Sequence, residues 1–211
     1  MKKNYDRIAV FSPFIIIAIN VVTAVVFGHF VGKWAFIPII LVEWLMFLYF
    51  IYLNGGTDLM RAWLEKPVKN RLWPIISLLA GLLPLPIFVK HYSLLDNWQI
   101  GLPWITLAVI NPFLEEFYWR GLLADVTANW KTVDSIIYAS VLFAANHVVF
   151  GINSELFRGF EVLVSTFVMG IVWAVTYRKT NSLRWVILSH FLVDFLNLSA
   201  PAFLNLFKAG H

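Results

Sequence analysis

The sequence predicts an all-α fold, a polytopic transmembrane bundle of about seven helices. The chain of 211 residues is 60% hydrophobic and only 13% charged, and its mean hydropathy is +0.77. Soluble domains, in contrast, carry roughly 45–50% apolar and about 25% charged residues. The apolar residues also gather in runs of the length that a spanning helix needs, about 20 residues. We therefore expect one integral membrane domain over residues 1–211, embedded in the lipid bilayer.

Seven apolar runs are the candidate spans, and they cover residues 8–28, 35–53, 72–90, 101–123, 135–151, 160–177 and 184–206. The first run follows a basic start but has no clear small-residue cleavage site, so we expect a retained span and not a secretory signal. The third run contains Pro74, Pro84 and Pro86 and is expected to be kinked or broken near its end. An eighth, re-entrant piece is the alternative to the count of seven.

The basic residues are distributed unevenly between the loops. With a cytoplasmic N-terminus, the inner segments hold Lys2, Lys3, Arg7, Arg61, Lys66, Lys69, Arg71, Lys131, Arg178, Lys179 and Arg184, and the outer segments hold Lys33, Lys90, Arg158 and Lys208. Cytoplasmic loops carry the excess of Lys and Arg in membrane proteins. We therefore expect a multi-pass protein of the cell membrane with its N-terminus in the cytoplasm.

Charge and cysteine content exclude several classes of partner and site. The net charge of +4 reflects the cytoplasmic loops beside anionic lipid, so no nucleic-acid partner is expected. The chain has no cysteine. This excludes disulfides, thiolate metal sites and cysteine nucleophiles.

Ionisable side chains interrupt three of the candidate spans. They are Glu115, Glu116 and Arg120 in the fourth span, His147 in the fifth, and His190 and Asp194 in the seventh. Such groups are costly in a membrane and usually face a bundle interior or a water-filled cavity. Six of them on three helices predict one shared polar site. A further carboxylate, Glu43 in the second span, has no obvious partner and is expected to be structural or to face water.

The spacing of these residues suggests which of them meet. Glu116 and Arg120 are four residues apart, in the order that favours a salt bridge. Glu115 points about 100° away from Glu116 around the helix, and we expect it to act as a general base. Glu115 and His147 are equidistant from Lys131, which lies in the polar segment ANWKTVD. If that segment is the turn of a helical hairpin, the two residues lie at the same depth.

His190 and Asp194 are also four residues apart and share one helix face. We expect Asp194 to hold the tautomer of His190, and the pair to supply or orient hydrogen-bond donors toward a developing oxyanion. Each set of groups also has a structural alternative: an ion pair that pins one helix, an isolated core histidine, or a local hydrogen bond within one helix.

The signatures of several familiar membrane sites are absent from the sequence. It contains no H-E-x-x-H of zinc metalloproteases, no G-x-S-G of rhomboid-like serine proteases, no G-x-G-D of aspartyl proteases and no E-x-x-H pairs of di-iron bundles. What remains is a glutamate near a histidine with a second polar pair opposite. This set suits amide hydrolysis by a water that Glu115 deprotonates and His147 holds or shares.

Three motifs carry a resemblance to a known family. EEFYWRG at 115–121, FAANH at 143–147 and HFLVD at 190–194 resemble the E-E-x-x-x-R, F-x-x-x-H and H-x-x-x-N/D motifs of the CAAX protease and bacteriocin-processing family, also called CPBP or Abi. Residues 170–197 also resemble the last conserved stretch of that family. The resemblance covers residues 101–200, which it implies to be the catalytic core.

The resemblance implies an intramembrane endopeptidase with assigned roles. By position these are Glu115 as the water-activating base, His147 as its partner, His190 and Asp194 on the oxyanion side, and Glu116 and Arg120 in support. Eukaryotic members have Asn where this chain has Asp194, so an amide donor is lost. The implied substrate is a peptide or protein within or at the membrane, and the implied bacterial roles are peptide or bacteriocin processing, self-immunity or envelope regulation.

We expect no metal or other cofactor, because a glutamate-activated water needs none, although Glu and His side chains can ligate zinc. Two other classes of protein remain open. One is a non-catalytic immunity or scaffold protein of the same fold, against which the intact motifs count. The other is a small transporter that uses Glu115, Glu116 and His147 as a proton relay; the sequence has no paired repeat with interrupted helices to support it.

Overall fold

The chain folds into helices and connecting turns. The computed structural model describes residues 2–208, with side chains over residues 8–207, and this part contains no β-strand. Its α-helices are α1 (Lys2–Val31), α2 (Phe36–Asn54), α3 (Gly56–Trp63), α4 (Leu72–Gly81), α5 (Leu85–His91), α6 (Trp98–Glu116), α7 (Leu123–Val126), α8 (Thr132–Val148), α9 (Phe160–Thr180), α10 (Arg184–Leu196) and α11 (Ser199–Phe203). The predicted all-α class is confirmed. Among the residues of the orientation argument, the side chains of Lys2, Lys3, Arg7 and Lys208 lie outside those described.

Four stretches of the described chain are long and apolar enough to cross a membrane, namely Ile8–Asn54, Leu72–Asp96, Thr132–Ile152 and Phe160–Thr180. The first of them contains α1 from Ile8 onward and all of α2. Two predicted spans, 101–123 and 184–206, lie outside these stretches, because charged site residues interrupt the former and α10 has only 13 residues. The count of seven spans therefore stays a prediction.

Two predicted interruptions of the helices are confirmed. The third span breaks between α4, which ends at Gly81, and α5, which begins at Leu85 after Pro84. The turn between the fourth and fifth spans lies between Val126 and Thr132, with Lys131 directly before α8. The site residues of α6 and α8 therefore lie on the two sides of this turn along the chain, and their equal depth stays a prediction.

The predicted seventh helix, 184–206, is wrong at its C-terminal end. Helix α10 ends at Leu196, and Leu198 adopts a left-handed backbone conformation with φ of 55°. A continuous helix would need an N–H at position 201 to bond the carbonyl of Asn197, and Pro201 has none. The chain therefore turns after α10, and Asn197 lies beside the cavities described below.

The motif EEFYWR lies where α6 changes its helical geometry. Helix α6 passes directly into a π-helical turn over Phe117–Leu122, which the sequence analysis did not predict. Such turns occur often at functional sites. Tyr118 is fully buried, stacks on Phe47 of α2 with ring centroids 4.4 Å apart, and shares a 2.6 Å hydrogen bond with Ser12 of α1. These contacts hold the π-helical turn against the N-terminal helices.

Small residues bring the helices of the site close together. A Cβ atom on Gly81 of α4 would lie 2.7 Å from the backbone oxygen of Ser189 on α10, and one on Gly170 of α9 would lie 3.0 Å from Cβ of Ser140 on α8. Membrane helices commonly use small residues for such close approach. Helices α4, α8, α9 and α10 therefore pack tightly around the ionisable groups.

Candidate active site

The structure brings five of the six predicted site residues into one contiguous cluster of ionic and polar contacts, with His147 beside it. Glu115, Glu116 and Arg120 are buried at the end of α6 and in the π-helical turn, and His190 and Asp194 are buried on α10. His147, near the end of α8, is partly exposed. The cluster joins two helices that are far apart in sequence.

Glu116 forms a buried ion pair with Arg120. Arg120 Nη1 donates to Glu116 Oε1 at 2.9 Å, and both side chains are almost completely buried. The predicted i, i+4 pair is therefore confirmed. The Arg120 guanidinium also lies over two aromatic rings, 4.0 Å from the centroid of Phe143 and 5.0 Å from that of Trp173. Cation–π contact of this kind adds attraction when the cation is desolvated.

Glu116 also holds the ring of His190, which differs from the expectation. We expected Asp194 to set the His190 tautomer, but His190 Nδ1 donates to Glu116 Oε1 at 2.7 Å. The nearest Asp194 oxygen, Oδ2, is 3.6 Å from His190 Nε2, and Glu115 Oε2 is 3.8 Å from the same nitrogen. Nε2 of His190 is therefore directed toward two carboxylates without a short bond to either.

The His190 ring is also held by stacking. It lies against the Trp173 indole with ring centroids 4.3 Å apart and an interplanar angle of 23°. The indole N–H of Trp173 donates to Ser189 Oγ at 2.9 Å, and that hydroxyl donates to the backbone oxygen of Ser77 at 2.6 Å. Helices α4 and α9 thus fix the ring that α10 carries.

A residue that the sequence analysis missed, Asn111, connects Glu115 to Asp194. Its Nδ2 donates to Glu115 Oε1 at 3.1 Å and to Asp194 Oδ2 at 3.2 Å. Its Oδ1 accepts from the indole N–H of Trp44 at 2.9 Å. Asn111 lies four residues before Glu115, so helical spacing was a signal that could have identified it.

His147 and Glu115 line the same cavity but are not hydrogen-bonded to each other. His147 Nδ1 donates to the backbone oxygen of Phe143 at 2.9 Å, which leaves Nε2 available to accept. His147, Glu115 and Asp194 line a cavity of about 50 Å³. A water occupies about 30 Å³ in the liquid, so this cavity has room for one or two waters.

A second, larger cavity adjoins the first. It has a volume of about 420 Å³, and His147, His190, Asp194 and Asn197 contribute its polar wall. The rest of its wall is mainly apolar and comes from the α4–α5 break and from α9, including Leu83, Ile87, Val162 and Met169. His147, Asp194 and Asn197 line both cavities. Asn197 is another residue that sequence reasoning missed.

Glu43 has partners that the sequence did not reveal. Its side chain is 1% exposed, and Asn146 Nδ2 donates to its Oε1 at 2.5 Å. Asn146 Oδ1 in turn accepts from Asn20 Nδ2 at 2.9 Å. The three residues join α1, α2 and α8 directly beside His147, so Glu43 has a structural connection to the site.

Replacing Glu43 by leucine is expected to destabilise the chain by about 1–3 kcal/mol, because the buried amide of Asn146 loses its acceptor. Glu43→Gln keeps an acceptor oxygen at the same place and is expected to retain most of the stability. Unfolding in detergent micelles measures both variants. Glu65→Leu, at an exposed glutamate, is the matched control, and a Glu43→Leu effect no larger than the control's contradicts the structural connection.

Among the side chains described, those of residues 8–207, no group of three or more His, Asp or Glu residues has an arrangement that could hold a metal ion. The expectation that catalysis needs no metal stays a prediction.

An α-helical membrane bundle around a cluster of ionisable side chains is the class of protein that the fold and this site define. Within that class, residues 97–196 match the family model described as type II CAAX prenyl endopeptidase Rce1-like. The match confirms, over these residues, the resemblance to CAAX proteases that the three motifs carry. It covers a little under half of the chain and contains all six predicted site residues, whereas α1–α5 lie outside it. Neither the curated proteins nor the solved structures gave a significant match.

Proposed function

We propose that this chain is an intramembrane endopeptidase that hydrolyses a peptide bond with a water activated by Glu115. One observation carries the proposal: Glu115 and His147 line a water-sized cavity, and His147 and Asp194 line both this cavity and the larger, mainly apolar cavity. Glu115 Oε1 accepts from Asn111, whereas its Oε2 accepts no hydrogen bond from any described residue. This oxygen is buried and unsatisfied, and we assign the attacking water to it.

The proposed reaction follows from these positions. Glu115 takes a proton from a water held with His147 Nε2, and the water oxygen attacks the carbonyl carbon of the scissile bond. The carbonyl becomes an oxyanion, to which the Nε2–H of a doubly protonated His190 donates while its Nδ1–H is bound by Glu116. Glu115 then passes its proton to the leaving nitrogen, and the C–N bond breaks. The products are a carboxylic acid and an amine, and Glu115 is again a carboxylate.

The larger cavity suggests the kind of substrate. Its mainly apolar walls on α5 and α9 suit an apolar side chain beside the scissile bond, in a peptide or protein at the membrane. We propose that the chain spans the cell membrane several times with a cytoplasmic N-terminus. A role in peptide or bacteriocin processing, self-immunity or envelope regulation is proposed from the family resemblance.

His147→Gln tests the proposal directly. We expect it to lower kcat by about a hundredfold, because the glutamine does not hold an acceptor at the position of His147 Nε2 and so misplaces the attacking water. The assay measures cleavage of quenched fluorescent peptides with apolar residues around the scissile bond, in proteoliposomes. Cleavage in ¹⁸O-labelled water is expected to place one label in the new carboxyl group.

His29→Gln is the control, since the same substitution is made at an exposed histidine of α1. It is expected to leave cleavage unchanged. A wild-type protein that cleaves none of the peptides, while a cellular immunity or signalling effect survives both His147→Gln and Glu115→Gln, contradicts the endopeptidase proposal and supports a non-catalytic protein of the same fold.

A further inference from the structure

Trp44 and Asn111 form a chain of hydrogen bonds that runs from α2 into the site. Trp44 donates its indole N–H to Asn111 Oδ1 at 2.9 Å, and Asn111 Nδ2 lies 3.1 Å from Glu115 Oε1 and 3.2 Å from Asp194 Oδ2. Asn111 lines the small cavity itself. Neither Trp44 nor Asn111 belongs to the three motifs, and Trp44 lies outside the family match at 97–196.

The chemistry of the partners determines the orientation of the Asn111 amide. An indole N–H is a donor only, so it must face the amide oxygen. An ionised carboxylate is an acceptor only, so Glu115 and Asp194 must face the two hydrogens of the amide nitrogen. In the flipped orientation, the NH₂ group of Asn111 would face the indole N–H of Trp44, and the amide oxygen would face the carboxylates of Glu115 and Asp194. Trp44 therefore forces the NH₂ group of Asn111 toward the carboxylates.

The bridge has a consequence for the two carboxylates. Glu115 and Asp194 carry like charges and lie on different helices, α6 and α10, yet each approaches the same nitrogen atom. Each receives one charge-assisted hydrogen bond, which is stronger than a bond between neutral groups. The amide thus holds Glu115 Oε1 in place, while the other oxygen, Oε2, accepts no hydrogen bond from the described residues and lies 3.8 Å from His190 Nε2.

We propose that Asn111 is a positioning residue for the hydrolysis, and that Trp44 on α2 sets its orientation. The inference rests on the proposed function. Asn111 acts through Glu115, by directing its free oxygen to the water, and does not itself touch the reacting atoms. The N-terminal half of the chain, which the family match does not cover, thereby takes part in the geometry of the site. Misplacement of a reacting group by about 1 Å can lower a rate a hundredfold.

Asn111→Leu removes the bridge while keeping a similar side-chain volume. We expect kcat to fall by about tenfold to a hundredfold. KM is expected to change by less than about threefold, because Asn111 does not line the larger cavity. Trp44→Phe removes the indole N–H together with the five-membered ring that carries it, and is expected to lower kcat several-fold. Trp104→Phe is the matched control. The indole N–H of Trp104 likewise donates a hydrogen bond, to the backbone oxygen of Phe195, and no change in kcat is expected.

A double-mutant cycle separates orientation from general loosening. If Trp44 acts through Asn111, then Trp44→Phe lowers kcat in the wild-type background and has no effect in the Asn111→Leu background. Equal, additive losses in the two backgrounds overturn the proposal. Unchanged kcat in Asn111→Leu, together with loss of activity in Glu115→Gln, also overturns it and leaves the endopeptidase function standing.

A second measurement does not depend on activity. In ¹⁵N-tryptophan-labelled protein, the indole signal of Trp44, assigned by its disappearance in Trp44→Phe, reports on its hydrogen bond. We expect Asn111→Leu to shift this signal and speed its hydrogen exchange, and Asp194→Asn to shift it less. An unchanged Trp44 signal in Asn111→Leu contradicts the bridge, whether or not the chain proves to be a hydrolase.

Discussion

Replacing Glu115 by glutamine is expected to lower peptide cleavage by about a hundredfold to ten-thousandfold while the chain stays folded. Glutamine has nearly the same shape but cannot take a proton from water, and general base catalysis contributes rate factors of this size. The amide oxygen of the new side chain can still accept from Asn111, as Glu115 Oε1 does at 3.1 Å. The substitution therefore removes the base and keeps the bridge. Peptide cleavage in proteoliposomes, with kcat and KM determined separately, measures the effect.

The control for this variant is Glu65→Gln, the same chemical change at an exposed glutamate. It is expected to leave cleavage and stability unchanged. A Glu115→Gln protein that cleaves at the wild-type rate contradicts the role of Glu115 as base. Loss of helical circular dichroism in micelles would show that the Glu115→Gln protein is unfolded. That result contradicts the expectation that a side chain of the same shape keeps the fold.

Removing the guanidinium of Arg120 is expected to have the largest effect on stability. Arg120→Met leaves the carboxylate of Glu116, which is fully buried, without its 2.9 Å ion-pair partner. Removing one partner of a buried ion pair costs about 3–5 kcal/mol, and His190 Nδ1–H is then the hydrogen-bond donor that remains to Glu116. The cation–π contacts of Arg120 with Phe143 and Trp173 are lost at the same time. The free energy of unfolding, measured by denaturant titration in micelles, reports the change.

Two further variants test whether the cost comes from the unpaired charge. In the double variant Glu116→Gln with Arg120→Met, the glutamine oxygen can still accept from His190 Nδ1, and no charge is left unpaired. We expect it to recover most of the lost stability. Arg61→Met breaks the exposed pair with Asp58, whose closest atoms are 3.9 Å apart, and is expected to cost at most about 1 kcal/mol. An Arg120→Met effect as small as that of Arg61→Met contradicts the prediction.

Part of the site could be predicted because it depends on local helix geometry. The Glu116–Arg120 pair follows from a spacing of four residues, which brings two side chains together on any regular helix. The break at Pro84 follows from the missing N–H of proline, and the turn before Thr132 follows from the polarity of its segment. Each of these features depends on residues that are close in sequence.

Other features were missed because they depend on contacts between distant helices. Nothing near His190 in sequence indicates that Glu116, on another helix, accepts from its Nδ1. Glu43 seemed to lack a partner because Asn146 lies about a hundred residues away along the chain. The π-helical turn at Phe117–Leu122 was not foreseen either. A π-helical turn differs from an α-helix in hydrogen bonds that reach one residue further along the chain. That difference produces no recognisable pattern in an apolar sequence.

The sequence by itself determined that this chain is an α-helical membrane protein, since apolar runs can be stable in lipid only with their backbone groups bonded internally. It also determined which six ionisable residues gather at one site, because such groups are too costly to bury singly. The tertiary structure decided which of them touch. Hydrogen bonds require donor and acceptor within about 3 Å, and only the packing of α2 and α10 against α6 brings Trp44 and Asp194 within that distance of Asn111.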